Sequence, residues 1–431
     1  MLDVFIYFID IKKEVIFIKR IGNIYKDIID IDNIKLAIYN SSKTKLDRAD
    51  VQKVLKDPDK YAEKVQKLLK KKIFEPSYST PRKINDGIRL KKRKVCEPDY
   101  YPDQIIHWSI YQIVYPIIEK KIPQIACGSV SGRGQVFTKN KVEKWIRIDK
   151  KTMRNCLKLD IKKCYDNINH NILYKMFVKK FKDPDLLDII KILITSYHSS
   201  RGKNKGIPIG WVTSQMFAMF YLSSLDNYII HNSKKTDKSV SLTKIKRMGC
   251  KIRLIRYMDD IYIFCSDKKI LHMLFDKLRL FLKKYLDLKF KDNHQIFRVY
   301  RYSRKNKKFY GRKIDFVGYT MAFYKTGIRK SISLRMSKLA NRLRKGKMSL
   351  HTCMGYCSYL GNIKHSKTKY FKNNFFRGIQ LNLLKSIIYQ GNKRKELKLN
   401  LSTKFSKFVK SIRKIELKNK MFLNLKHLCE V

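Results

Sequence analysis

Ile252 to Cys265 reads IRLIRYMDDIYIFC. Two runs of β-branched and aromatic residues flank a pair of adjacent carboxylates, a composition that suits a β-hairpin better than a surface loop. It predicts Asp259 and Asp260 at the hairpin's tip. Like charges side by side raise one another's energy unless a cation neutralises them, and hard divalent ions favour carboxylate oxygens. A bare Asp-Asp pair can be an ordinary turn; the strand-like flanks favour the metal-binding reading. A further carboxylate in another strand-like run would strengthen that reading.

Asn155 to His170, NCLKLDIKKCYDNINH, supplies it. An alternating apolar strand over Cys156–Ile161 carries Asp160, and an aromatic, Tyr165, follows five residues later. Carboxylates on two strands can clamp divalent cations from opposite sides. Tyr-Met-Asp-Asp between strand-like runs, with Asp160 upstream, resembles the active-site hairpin of reverse transcriptases. The resemblance implies Asp160, Asp259 and Asp260 as catalytic residues, and Asp160, Ile161, Asp259 and Asp260 around two Mg2+ ions, for which Mn2+ could substitute. It puts Tyr257 and Met258 at the primer and template, and Tyr165 under the sugar of an incoming deoxynucleotide, with no room for a 2'-hydroxyl. A plain core tyrosine is the alternative for Tyr165, and Asp166 reads as a helix cap.

The 431 residues allow two or three subdomains, and 44% hydrophobic content is ordinary for a globular chain. With 97 Lys and Arg against 36 Asp and Glu, the formal net charge is +61. Such a field repels itself in a compact fold unless a polyanion covers it, so nucleic acid is the expected partner, although an AT-rich coding sequence accounts for part of the lysine excess. Nine irregularly spaced cysteines point to a reducing compartment. Residues 1–22 form an N-terminal extension, apolar but interrupted by Asp3, Asp10, Lys12, Lys13 and Glu14. It falls short of the ~20 apolar residues that span a bilayer and reads as a hairpin or helix packed on the body. The expected location is cytoplasmic, with no membrane partner.

Residues 23–150 read as fingers. Helical periodicity runs from Asn23 to Ile73 with a break at Pro58, and the basic strand IRLKKRKV and a long amphipathic helix follow. The resemblance makes Lys92, Arg93 and Lys94 candidates to meet a nucleotide triphosphate; a solvated basic edge is the alternative. IACGSVSGRGQVF puts three glycines and Arg133 just before a helix, where the family's loop approaches the template. Residues 151–330 read as the palm, interrupted by a fingers segment at about 171–205. Within it GIPIGWVTSQMFAMFYLSSLD, Gly206 to Asp226, is a turn, a cap at Thr213 or Ser214, and a buried helix. The resemblance assigns Gly206 and Pro208 to primer and template, and Ile209, Gly210 and Gln215, with Arg93, Lys94 and Tyr165, to the nucleotide. Ile209 and Gln215 stand where most group II intron and retroviral enzymes have glutamine and proline. That combination is similar to the reverse transcriptases of diversity-generating retroelements and to defence-associated, antiphage relatives in prokaryotes. There an aliphatic residue at the Ile209 position goes with loosened base selection.

The polar segment Ser233–Lys246 reads as a solvated loop. Lys268–Leu288 reads as an amphipathic helix; the resemblance makes Lys289 or Lys291 the lysine that approaches pyrophosphate and places Gly318, in DFVGY, in the hairpin that grips the primer end. Residues 331–431 read as a basic helical thumb and tail, its aromatics interleaved with lysines that suit a duplex backbone. His351, Cys353, Cys357 and His365 admit a zinc site, but the C-x3-C spacing fits a helix face better. The expectation is an α+β right-hand polymerase with an antiparallel, RRM-like palm sheet and helical thumb. It copies an RNA template, such as a dedicated non-coding RNA, from a DNA primer, with an accessory protein or homo-oligomer as a further possible partner. A catalytically silent nucleic-acid-binding scaffold and an RNA-directed RNA polymerase are the rivals.

Overall fold

The structure is a computed structural model that describes residues 20–77, 81–86, 91–231, 251–303, 305–323, 325–397 and 408–416. The expectations for residues 1–19 and for the Ser233–Lys246 loop fall outside that set. Four helices come first among the described residues: α1 (Tyr25–Ile28), α2 (Ile31–Ser42), α3 (Ala49–Lys56) and α4 (Pro58–Lys70). Asp30 caps α2 by accepting from the Asp32 and Asn33 amides, and Pro58 starts α4, where its missing N–H costs nothing. A basic hairpin, β1 (Arg82–Asp86) and β2 (Lys91–Val95), precedes α5 (Ile105–Glu119). The glycine loop carries β3 (Ala126–Cys127) and ends at α6 (Gln135–Ile148).

The central sheet has the order β3-β5-β6-β4-β7, formed by β4 (Asn155–Asp160), β5 (Ile252–Tyr257), β6 (Asp260–Cys265) and β7 (Gln295–Arg298). All its pairings are antiparallel except β3 with β5. Between β4 and β5 lie α7 (Cys164–Asn167), α8 (His170–Lys180), α9 (Pro184–Thr195) and α10 (Val212–His231); α11 (Lys268–Leu286) follows β6, close to the expected span.

Strand alternation sorts the sheet's side chains. Leu157, Leu159, Leu254, Ile261 and Ile263 join the large core shared with α5, α8, α9, α10 and α11. Cys156, Ile255, Tyr262 and Phe264 face the other way, into a second core with α6 and a three-stranded sheet of Ile314–Phe316, Tyr319–Met321 and Thr326–Ile328. Burying each such large apolar side chain stabilises the fold by about 1.5–3 kcal/mol. Asp160 and Asp260 share the parity of the second face, at the end of the sheet where that core stops.

Residues 330–397 form a third core built on helices Lys330–Arg344 and Leu350–Ser358. Cys353 is wholly buried there, and Tyr356 stacks on Phe375 with ring centroids 4.3 Å apart. The C-x3-C pair lies on a helix whose inner face belongs to this core, and no group of three metal-binding side chains occurs among the described residues. No helix among them is long and apolar enough to cross a membrane.

Candidate active site

The hairpin forms with one correction to its tip. Tyr257 pairs with Asp260, so the two-residue turn is Met258–Asp259, and Asp260 is the first residue of β6. Asp160 lies directly across from Asp260 in the ladder. Met258 takes the left-handed conformation at φ +54°, as tight hairpin turns demand. The turn's backbone is tied down: Met258 N–H donates to Cys127 O at 3.0 Å, and Ile161 N–H donates to Asp259 O at 3.3 Å. Gly128 backs the turn, since a Cβ there would lie 3.0 Å from Met258 Cγ and 3.1 Å from the Tyr257 ring. Ile161 is wholly buried and continues the strand beyond Asp160.

Electrostatics mark the site as cation-seeking. Burial first, then the Asp259 and Asp160 charges, push the Asp260 carboxyl up to about 6, against the opposite pull of Lys158 and Lys291. The Lys291 ammonium sits 2.5 Å from Asp160 Oδ2, while Asp160 Oδ1 is buried without a hydrogen-bond partner. Of the two candidate lysines, Lys291 is the one placed at Asp160. Lys289 instead lines a cavity of about 300 Å³ with Lys162, Lys163, Asn167, Arg201, Lys205 and Asp287. The three carboxylates do not converge on a single closed chelate. They fit Mg2+ nonetheless, because that ion is held by one or two carboxylates with water and substrate phosphate completing the shell.

A raised acid favours folding while protonated, so the Asp260 contribution is present below its ordinary range near pH 4 and lost as pH rises through about 6. Asp260→Asn is therefore expected to stabilise the metal-free protein at pH 8, by on the order of 2–3 kcal/mol. The gain should vanish by pH 4. Thermal melts across that range check it, and a pH-independent shift would contradict the electrostatic origin.

Tyr165 lies on α7 beside the acidic turn, its hydroxyl held above the usual range by burial, Cys164 and Asp259. Its carbonyl accepts from Ile207 N–H at 2.9 Å, and Gly206 N–H donates to Ile168 O at 2.9 Å, so the Gly206–Gly210 loop is strapped to α7. The His170 ring adds a 2.7 Å bond to Gly206 O. Asp166 lies inside α7; the cap of the next helix is Asn169, which accepts from Ile172 N–H. Thr213 and Ser214 likewise fall within α10, which starts at Val212, and Thr213 Oγ1 bonds the His107 ring at 2.7 Å.

Pro208 is buried, Ile209 half-buried and Gly210 exposed. Gly210, at φ +125°, lies so close to β2 that a Cβ would stand 2.3 Å from Cys96 O, and Cys96 N–H donates to Ile209 O at 2.8 Å. The basic hairpin thus docks on the Gly206–Gly210 loop, with Lys94 exposed beside it; the side chains of Lys92 and Arg93 lie outside the described residues. Gly210→Ala cannot fit without moving backbone. It is expected to cost about 1–3 kcal/mol, read as a lower thermal midpoint; an unchanged midpoint would show that β2 docks loosely. Exposed Gln215 lines a cavity of about 330 Å³ with Gly210, Lys45, Trp108, Tyr111 and Trp211 among its walls.

Arg133 donates through Nη1 to Pro123 O at 2.9 Å and Ile122 O at 3.3 Å, closing the glycine loop onto the segment after α5, a role the template reading did not include. Gly318, at φ +87°, turns between Ile314–Phe316 and Tyr319–Met321 and accepts from Arg329 N–H at 3.0 Å. Its sheet meets the catalytic hairpin through Phe316, which packs on Tyr262 at 4.1 Å and edge-on to Tyr257 at 6.4 Å. Sequence reasoning missed Arg256 and Asp226, a buried ion pair beneath the turn. The available signal was a charge in β5 at a position whose alternation faces the helical core.

A carboxylate turn beside a third carboxylate on the adjacent strand, with helices behind the sheet and the Gly206–Gly210 loop strapped alongside, is the arrangement expected of the palm. The family model described as Reverse transcriptase (RNA-dependent DNA polymerase) matches residues 103–321, just over half of the chain. The chain belongs to that family, and its fold is the α+β right hand. The COX1/OXI3 intron 2 protein of Saccharomyces cerevisiae is 31% identical over 78 residues, 17% of this chain and 9% of the yeast protein. The apo telomerase of Candida tropicalis aligns at TM-score 0.42 and 13% identity, over 78% of this chain and 62% of its own. Candida albicans telomerase, solved with a fragment of telomeric RNA, gives 0.39 and 13% over the same shares. The chain thus spans under two thirds of each relative, and at these TM-scores the superpositions carry no argument.

Proposed function

We propose that this protein is an RNA-directed DNA polymerase that adds deoxynucleotides to a primer 3'-end. The observation that supports it most is the juxtaposition of Asp160 and Asp260 with Asp259 in the intervening turn. Asp160, Asp259 and Asp260 would hold two Mg2+ ions, with the Lys291 ammonium giving way at Asp160 Oδ2. When bound, the ions acidify the 3'-hydroxyl and neutralise the departing pyrophosphate. Tyr165 bars the 2'-hydroxyl, Ile209, Gly210 and Gln215 border the nucleotide, and the basic surface holds the template duplex. Most of the rate enhancement is then positioning and charge neutralisation.

The template in this reading is a dedicated structured RNA, and the setting is a prokaryotic cytoplasm, in antiphage defence or in a diversity-generating retroelement. A template repeat beside a variable gene identifies the second setting. Ile209, with no hydrogen-bonding atom to stiffen the pocket, supports loosened base selection. Sequencing the nucleic acid that co-purifies tests the whole: one discrete RNA with a cDNA copied from it is expected. Random nucleic acid, with no extension in Mg2+ or Mn2+, would leave a silent binding scaffold.

A further inference from the structure

Arg256 is the bulkiest wholly buried side chain among the described residues. Its Nε donates to Asp226 Oδ1 at 2.8 Å and its Nη2 to Asp226 Oδ2, both side chains being 1% exposed. The third arm of the guanidinium reaches back to the acidic hairpin, where Nη1 donates to Met258 O at 2.8 Å, its one oxygen acceptor, with the weaker acceptor Met219 Sδ of α10 at 3.7 Å. On the main chain, Arg256 N–H donates to Ile125 O at 2.9 Å, next to the Met258–Cys127 bond. Asp226 lies on α10, the helix that starts directly after the Gly206–Gly210 loop.

Stability is a poor reason for such a pair. Taking both charges out of water costs several kcal/mol, and well-packed apolar residues of similar volume often hold a core as well or better. What the pair supplies is direction. A guanidinium has five donors in a rigid fork, so a bidentate carboxylate fixes its plane and leaves one arm aimed at a single point. That point is the carbonyl that precedes Asp259, in a turn held at positive φ.

We propose that Arg256, aligned by Asp226, is a positioning residue that holds the Met258–Asp259 turn in its cation-receptive form and ties it to the helix behind the nucleotide loop. The proposal rests on the polymerase reading for its meaning, but its test does not need catalysis. Arg256→Lys keeps the charge beside Asp226 and loses the fork; Asp226→Asn keeps the shape and loses the alignment. Mn2+ binding to the full chain without nucleic acid, followed by electron paramagnetic resonance, is expected to weaken about 10-fold or more in each variant, as losses of support around metal ligands do. Primer extension should fall most at low metal and recover in part as Mn2+ is raised, with template-primer affinity unchanged.

A lower thermal midpoint with wild-type Mn2+ affinity in the folded protein would reduce the pair to a structural one and overturn the proposal. If Arg256→Lys does not fold, Asp226→Asn decides by the same measurement. Failure of the wild type to extend any primer strikes the polymerase reading alone, since the Mn2+ comparison still stands.

Discussion

Asp259→Asn is expected to abolish primer extension, by at least about a thousandfold, while template-primer binding stays near wild type. The substitution keeps the side chain's size and leaves in place two bonds to the turn's backbone, Met258 N–H to Cys127 O and Arg256 to Met258 O. It removes one of three negative charges that together call for cations. It also removes one of the charges that raise Asp260, whose carboxyl should then titrate closer to its ordinary range. Binding is expected to be carried elsewhere, by the net charge of +61, because contacts between basic side chains and phosphates release counterions. Affinity of wild type and variant alike should fall steeply with salt. Substantial residual synthesis by the variant would remove Asp259 from the chemistry.

Tyr165→Ala is expected to admit ribonucleotides, lowering the preference for dNTP over rNTP by about 10–200-fold, the range that shape exclusion in a pocket provides. The strap from Ile207 N–H to the Tyr165 carbonyl does not need the ring, so the nucleotide loop should keep its place. The ring is half-buried and near enough to Asp259 for that charge to raise its hydroxyl, so its removal should open space on that side. Competition between each dNTP and its rNTP checks this. Unchanged discrimination would return Tyr165 to an ordinary core role.

Much of this site is legible in the sequence because its signals are local. The alternation of Leu157, Leu159 and Ile161 declares β4, and the paired carboxylates between apolar runs declare the hairpin. Gly206 and Gly210 mark a turn because their positive φ angles suit no other residue as well. What is not legible depends on partners far apart in the chain. Arg256 and Asp226 are thirty residues apart, and Lys291 meets Asp160 across 131 residues. Strand alternation turns Arg256 inward, yet nothing local names its partner, and no periodicity announces the Lys291–Asp160 pair. Cap assignments slipped for a related reason: Thr213 and Ser214 look like caps by type, yet the helix starts at Val212, and Thr213 is taken by His107, which the fold brings in from α5. Arg133 likewise reads as a free cation until the fold offers it the carbonyls after α5.

The most direct test of the central claim is extension of a DNA primer annealed to an RNA template by the purified chain, run with dNTPs and with rNTPs, in Mg2+ and after its chelation. The account predicts templated addition of deoxynucleotides, dependent on the metal and absent in Asp259→Asn. Efficient incorporation of rNTPs in place of dNTPs, or metal-dependent synthesis that persists in the variant, would contradict it.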